Sequence, residues 1–177
     1  MSRSAAPTRR LFFAFWPDDA LRAAVLTATA ALCATVRGRA VPAPELHVTV
    51  AFLGRRPASE LPALIAAARE LPGRPFRLRF ASLEYWRGPR ILAAVADHGS
   101  EAASALAAAL WQRLTRLGLE PEARPYRAHV SLVRGARVAL PPALAPFEWP
   151  VDSVTLVESQ GGQDQRYRPL ATAAIGH

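Results

Sequence analysis

Residues 10–16 read Arg-Leu-Phe-Phe-Ala-Phe-Trp, a short apolar and aromatic run closed by Pro17, and predict a buried β-strand. Asp18 and Asp19 then open a helix. Its apolar positions Leu21, Val25, Ala28, Leu32 and Val36 recur at spacings of three and four, and Gly38 is its expected end. A proline-rich connection from Val41 to Pro44 leads into a strand over 46–53 that Gly54 closes. Ser59 is placed to cap a second helix with Leu61, Leu64, Ile65, Ala68 and Leu71 on one face, stopped by Pro72-Gly73. Phe76, Leu78 and Phe80 alternate with Arg77 and Arg79, as in a strand wet on one side. A partner strand is expected over 90–96. Ser100 is the expected cap of a third helix carrying Ala103, Leu106, Leu110, Leu114 and Leu117, ended by Gly118. A strand over 127–134, a proline-rich loop from Pro141 to Pro150, and strands over 151–158 and 166–173 complete the pattern. Residues 1–9 are small and polar and are expected to be disordered.

Helices and strands interleave, yet several strands are near neighbours joined by short connections. That arrangement predicts an α+β fold with mostly antiparallel sheets flanked by helices. Composition shows no break, so residues 1–177 are read as one domain. A weak internal repeat divides it: Leu46-His47-Val48-Thr49-Val50 and Ala128-His129-Val130-Ser131-Leu132 share the form apolar-His-Val-hydroxyl-apolar. Two similar lobes packed face to face, related by a pseudo-twofold, would bring both strands to a central cleft.

Alternation with a period of two puts His47 and Thr49 on one face of their strand, and His129 and Ser131 on one face of theirs. Each strand thus offers an imidazole that titrates near neutrality beside a hydroxyl that donates hydrogen bonds. Two such pairs supply an acid, a base and two oxygen donors around one phosphorus. This set suits in-line hydrolysis of a cyclic phosphodiester, and the scheme calls for no metal or cofactor. His98, at a turn, and His177, at the end, fall outside the repeat. Neither motif histidine has a second His, Cys or carboxylate at short zinc-ligand spacing, and Glu45 reads as a solvated residue at the start of its strand. Ser131 lacks the G-x-S-x-G turn of a serine hydrolase.

Charge fits an anionic substrate. The net charge is +8 and the chain has no lysine, so every fixed cation is an arginine, whose planar fork matches phosphate oxygens. Genomic base composition accounts for the same arginine count equally well. The lone Cys33 excludes an intramolecular disulfide framework. Arg9-Arg10 followed by six apolar residues is too short for an export signal or a membrane span, so a cytoplasmic protein with no membrane partner is expected.

The sequence resembles the 2H phosphoesterases, and within them the RNA 2′,3′-cyclic phosphodiesterases, long called 2′-5′ RNA ligases. Their hallmark is a pair of H-x-[T/S]-x motifs, here His47-Val48-Thr49-Val50 and His129-Val130-Ser131-Leu132. Arg10-Leu11-Phe12-Phe13-Ala14 looks like the opening strand, and Glu45 through Gly54 like the first motif strand. Arg124-Pro125-Tyr126-Arg127-Ala128-His129 with Val133-Arg134 looks like the second. Leu156-Val157-Glu158-Ser159 and Tyr167-Arg168-Pro169-Leu170 look like the closing strands, so the likeness runs from 10 to 171. The resemblance implies a bilobal fold with a central cleft and metal-independent hydrolysis of RNA or nucleotide 2′,3′-cyclic ends to 2′-phosphates. It implies His47 as proton donor and His129 as acceptor, with Thr49, Ser131 and Arg134 on the phosphate and Phe13 near the nucleotide. Strict alternation puts Arg134 on the face opposite His129 and Ser131, so it reaches the cleft only if the strand twists, bulges or ends there, which Gly135 allows. A monomer is expected. The alternatives are 2′-5′ joining at the same site, a non-RNA cyclic phosphate as substrate, or an RNA-binding module without turnover.

Overall fold

The computed structural model describes residues 7–69, 71–138, 143–161 and 166–176. In chain order the elements are β1 (Thr8–Phe15), α1 (Asp19–Thr35), β2 (Arg37–Ala40), a 3-10 turn (Ala43–Glu45), β3 (Val48–Pro57), a second 3-10 turn (Ala58–Glu60), α2 (Leu61–Arg69), β4 (Phe76–Trp86), β5 (Ile91–His98), α3 (Ser100–Arg116), β6 (His129–Arg137), β7 (Phe147–Val151), β8 (Ser153–Ser159) and β9 (Tyr167–Ala174). The strands form one nine-stranded sheet in the order β7-β4-β5-β6-β3-β1-β8-β9, with β2 added beside β6. Every ladder among the described residues is antiparallel. The α+β expectation holds. Its two halves, β7-β4-β5-β6 and β3-β1-β8-β9, meet where the motif strands β3 and β6 lie side by side.

One face of that sheet is covered by the helices. Leu11, Phe13 and Phe15 of β1, Val48 and Val50 of β3, and Val130 and Leu132 of β6 join Val25 and Leu32 of α1, Leu64 and Ala68 of α2, and Leu106 and Leu110 of α3 in the main core. The opposite face carries a much smaller buried cluster, Phe12, Ala14 and Val157, with Trp16 and Tyr167 packed against it. Helix α1 begins where the paired aspartates predict: the Asp18 carboxylate accepts from the Leu21 N–H at 2.7 Å. It ends at Thr35, short of Gly38, because the chain turns extended and β2 pairs with β6. Gly38 serves that pairing: a Cβ there would stand 2.6 Å from Val133 Cγ1. Helix α3 stops as expected, with Gly118 (φ +81°) donating to the Thr115 carbonyl and Leu119 to that of Leu114.

Other expectations shift by local detail. The first strand starts at Thr8, so residues 8 and 9 are ordered, while residues 1–6 and His177 lie outside the described residues. Strand β3 continues past Gly54 to Pro57. Ser59 lies in the 3-10 turn before α2, and Ser100 is the first residue of α3, its hydroxyl donating back to the Ala96 carbonyl at 2.9 Å. His98 is the exposed last residue of β5. The proline-rich stretch over 141–150 contains β7, which buries Phe147, Trp149 and Val151 against β4. Burying each such side chain contributes about 1.5–3 kcal/mol, more than the roughly 1 kcal/mol of a ladder hydrogen bond that Pro150 cannot donate. Strand β7 also lies at the edge of the sheet, where proline is tolerated. No helix among the described residues is long and apolar enough to cross a membrane.

Candidate active site

Strands β3 and β6 meet at one ladder pair, Val48 with Val130, both fully buried on the helix side. Opposed residues of an antiparallel pair point the same way and their chain neighbours the other way. His47, Thr49, His129 and Ser131 therefore all project from the open face, flanking that single pair. The antiparallel run sets His47 toward Ser131 and Thr49 toward His129, and all four side chains are half-buried.

Each imidazole is oriented by the carbonyl two residues before it. His47 Nδ1 lies 2.7 Å from the Glu45 oxygen and His129 Nδ1 lies 2.9 Å from the Arg127 oxygen. A carbonyl only accepts, so each Nδ1 carries a hydrogen and each Nε2 is left for proton transfer. The Thr49 hydroxyl lies 3.1 Å from His47 Nε2 and donates to it when the ring is neutral.

Aromatic rings enclose both histidines. Phe12, Tyr167 and Trp16 sit 5.0, 5.1 and 5.9 Å from the His47 ring, and Trp86 meets His129 edge-on at 4.6 Å. Burial among them disfavours the charged imidazolium and lowers the His47 pKa to about 4. The nearby Arg134 and His129 charges add to this, and the bond to the Glu45 carbonyl opposes it. Burial also lowers His129, with the Arg127 carbonyl bond opposing. Both shifts favour the neutral imidazole in the free protein.

Arg134 reaches the open face through a β-bulge. Ser131 opposes Ala93 and Val133 opposes Leu92, so Leu132 is an extra residue and the alternation of β6 inverts after it. Arg134 then lies on the same side as Ser131, paired with the Glu45 carboxylate and donating to the Tyr167 hydroxyl at 3.4 Å. The inversion occurs at Leu132, not at Gly135. Glu45 is also not the solvated residue expected; it is mostly buried and ion-paired. Strand β3 repeats the device: Thr49 opposes Ala14 and Ala51 opposes Phe13, making Val50 the extra residue. Phe52 thus occupies in β3 the place that Arg134 holds in β6.

Phe13 does not join the site. It is fully buried on the helix side of β1, and Phe12 is the ring turned toward His47. Sequence reasoning also missed Trp16, Trp86, Tyr167 and the Glu84 carboxylate, which takes hydrogen bonds from Trp86 Nε1 at 3.0 Å and from Arg127 at 2.9 Å. The available signal was the pair of adjacent apolar residues after each hydroxyl, Val50-Ala51 and Leu132-Val133, which breaks alternation and marks a bulge.

Residues 16–163 match the family described as the 2′-5′ RNA ligase superfamily. The RNA 2′,3′-cyclic phosphodiesterase of Thermus thermophilus is 33% identical over 164 residues, spanning 85% of this chain and 82% of that protein. Its counterpart from Escherichia coli is 29% identical over 94% of this chain and 97% of that one. Among solved structures, E. coli LigT complexed with 3′-AMP superposes with a TM-score of 0.85 at 28% identity, covering 97% of this chain and all of that one.

Proposed function

Because the chain belongs to the 2′-5′ RNA ligase superfamily, we propose that it hydrolyses RNA 2′,3′-cyclic phosphate ends to 2′-phosphomonoesters, with His47 and His129 as its acid and base. The observation that carries this reading is the meeting of two imidazole–hydroxyl pairs around Val48 and Val130, each with its Nδ1 held by a carbonyl. His129 Nε2 takes a proton from water as the water oxygen bonds to phosphorus. The bond from phosphorus to the ribose 3′ oxygen breaks on the opposite side, and His47 Nε2–H gives that oxygen its proton. Thr49, Ser131 and Arg134 donate to the non-bridging oxygens, where charge builds in the transition state. The bound phosphate also supplies a negative charge beside His47, offsetting Arg134 and favouring the imidazolium that the acid role requires.

The same groups join RNA ends when an RNA 5′ hydroxyl replaces water as the nucleophile: it gives its proton to His129, its oxygen bonds to phosphorus and the 3′ oxygen leaves, forming the 2′-5′ linkage of the superfamily's description. We read residues 1–177 as one catalytic unit that works as a monomer, since one chain supplies all these groups, and as a cytoplasmic protein.

Purified protein given 2′,3′-cyclic AMP in EDTA is expected to release the 2′-monophosphate alone. Release of the 3′-monophosphate, or no turnover under conditions where the protein still binds RNA, would overturn the reading.

A further inference from the structure

The open face continues past the histidines. On β1, Arg10, Phe12 and Ala14 alternate onto it, and a second bulge in β3, at Leu53, sets Arg55 opposite Arg10. His47, Thr49, Phe52 and Arg55 therefore follow one another along the same side of β3 and its approach. Arg10 and Arg55 line a cavity of about 520 Å³, together with Arg9, Arg166 and Glu158. Glu158 is already held by Arg9 at 3.4 Å and Arg168 at 3.0 Å. Arg10 and Arg55 are exposed, and neither has a carboxylate partner among the described residues. The Arg10 guanidinium lies 5.1 Å over the Phe52 ring, which is 38% exposed.

An exposed ring beside free guanidinium groups is the equipment for a nucleic-acid strand, with a base stacking on the ring and a phosphate taking the arginine forks. From Ala14 to Arg10 the strand advances about 13 Å. A phosphate held between the histidines therefore leaves this cavity beyond the reach of its own nucleotide, but within reach of the nucleotides before it.

We infer that the Arg10–Arg55 cavity and Phe52 form a subsite for the RNA chain on the 5′ side of the cyclic end, one backbone phosphate in the cavity and one base on the ring. The inference rests on the proposed phosphodiesterase activity and makes the protein selective for oligonucleotide ends over cyclic mononucleotides.

The test compares kcat/KM on 2′,3′-cyclic AMP with that on a tetranucleotide carrying a 2′,3′-cyclic end, for the native protein, Arg10→Gln/Arg55→Gln and Phe52→Ala. The native protein should prefer the tetranucleotide by about tenfold or more. Each variant should lose about tenfold on the tetranucleotide while changing less than about threefold on cyclic AMP, which also reports intact folding. The double variant should flatten the slope of log kcat/KM against log salt by about 0.7 for each phosphate it no longer neutralises. Equal losses on both substrates, or none on the tetranucleotide, would overturn the subsite and leave the histidine chemistry standing. Failure of the native protein to turn over either substrate would instead remove the reading on which the subsite rests.

Discussion

Alanine at either His47 or His129 is expected to lower kcat on a 2′,3′-cyclic nucleotide by about 10²–10⁴-fold, with KM changed far less. In the proposed mechanism each imidazole moves a proton only as bonds to phosphorus form and break, so the loss should fall on the transition state and not on ground-state binding. The double variant should fall further than either single one, since the histidine left in each single variant still transfers its own proton. His47 packs against Phe12, Tyr167 and Trp16, and its removal leaves space there. Asparagine and glutamine variants, checked by thermal unfolding, separate lost chemistry from lost packing. Loss of less than about tenfold in folded variants of both residues would deny them the acid and base roles.

Arg134→Ala carries the second large effect, a fall in kcat of about 10²–10³-fold. Its guanidinium is presented to the open face by the Leu132 bulge and steadied by Glu45 and Tyr167. Arg134→Lys keeps the charge but not the planar fork, so it should recover only part of the rate. The alanine variant should also raise the His47 pKa, because the Arg134 charge is one of the causes holding it down. Steady-state kinetics on cyclic AMP would read the first effect. NMR titration of the His47 ring would read the second, and an unmoved pKa would place Arg134 too far from that ring to act on it.

The two histidines and two hydroxyls were legible because a period of two is a backbone property, and a repeat of the same five positions marks paired strands. How those strands meet was not. The two halves join through the single Val48–Val130 pair, which five matching positions do not specify. Arg134 defeated strict alternation for a local reason: Leu132 and Val133 are both buried, so one strand position is spent on a bulge. Phe12 and Phe13 are adjacent, apolar and nearly equally buried, and composition alone does not say which faces the cleft. That depends on the register with β3 and β8. Strand β7 was hidden by Pro150 and the prolines that precede it, which read as loop until its place at the sheet edge is known. The aromatic enclosure comes from β1, β4 and β9 and the turn after β1, segments whose proximity is set by topology.

The central claim, that His47 and His129 act as an acid–base pair, is tested most directly by the pH dependence of kcat/KM in the native protein and the two alanine variants. That ratio reports ionisations of the free enzyme, where burial lowers His47 to about 4 and depresses His129 below its ordinary 6.5. Activity needs one ring protonated and the other neutral, so the native profile should be a bell peaking below pH 6.5 and falling on the alkaline side. Without the acid, His47→Ala should lose the alkaline limb and rise to a plateau. Without the base, His129→Ala should lose the acid limb and only fall as pH increases. A bell that survives unchanged in both variants would contradict the account.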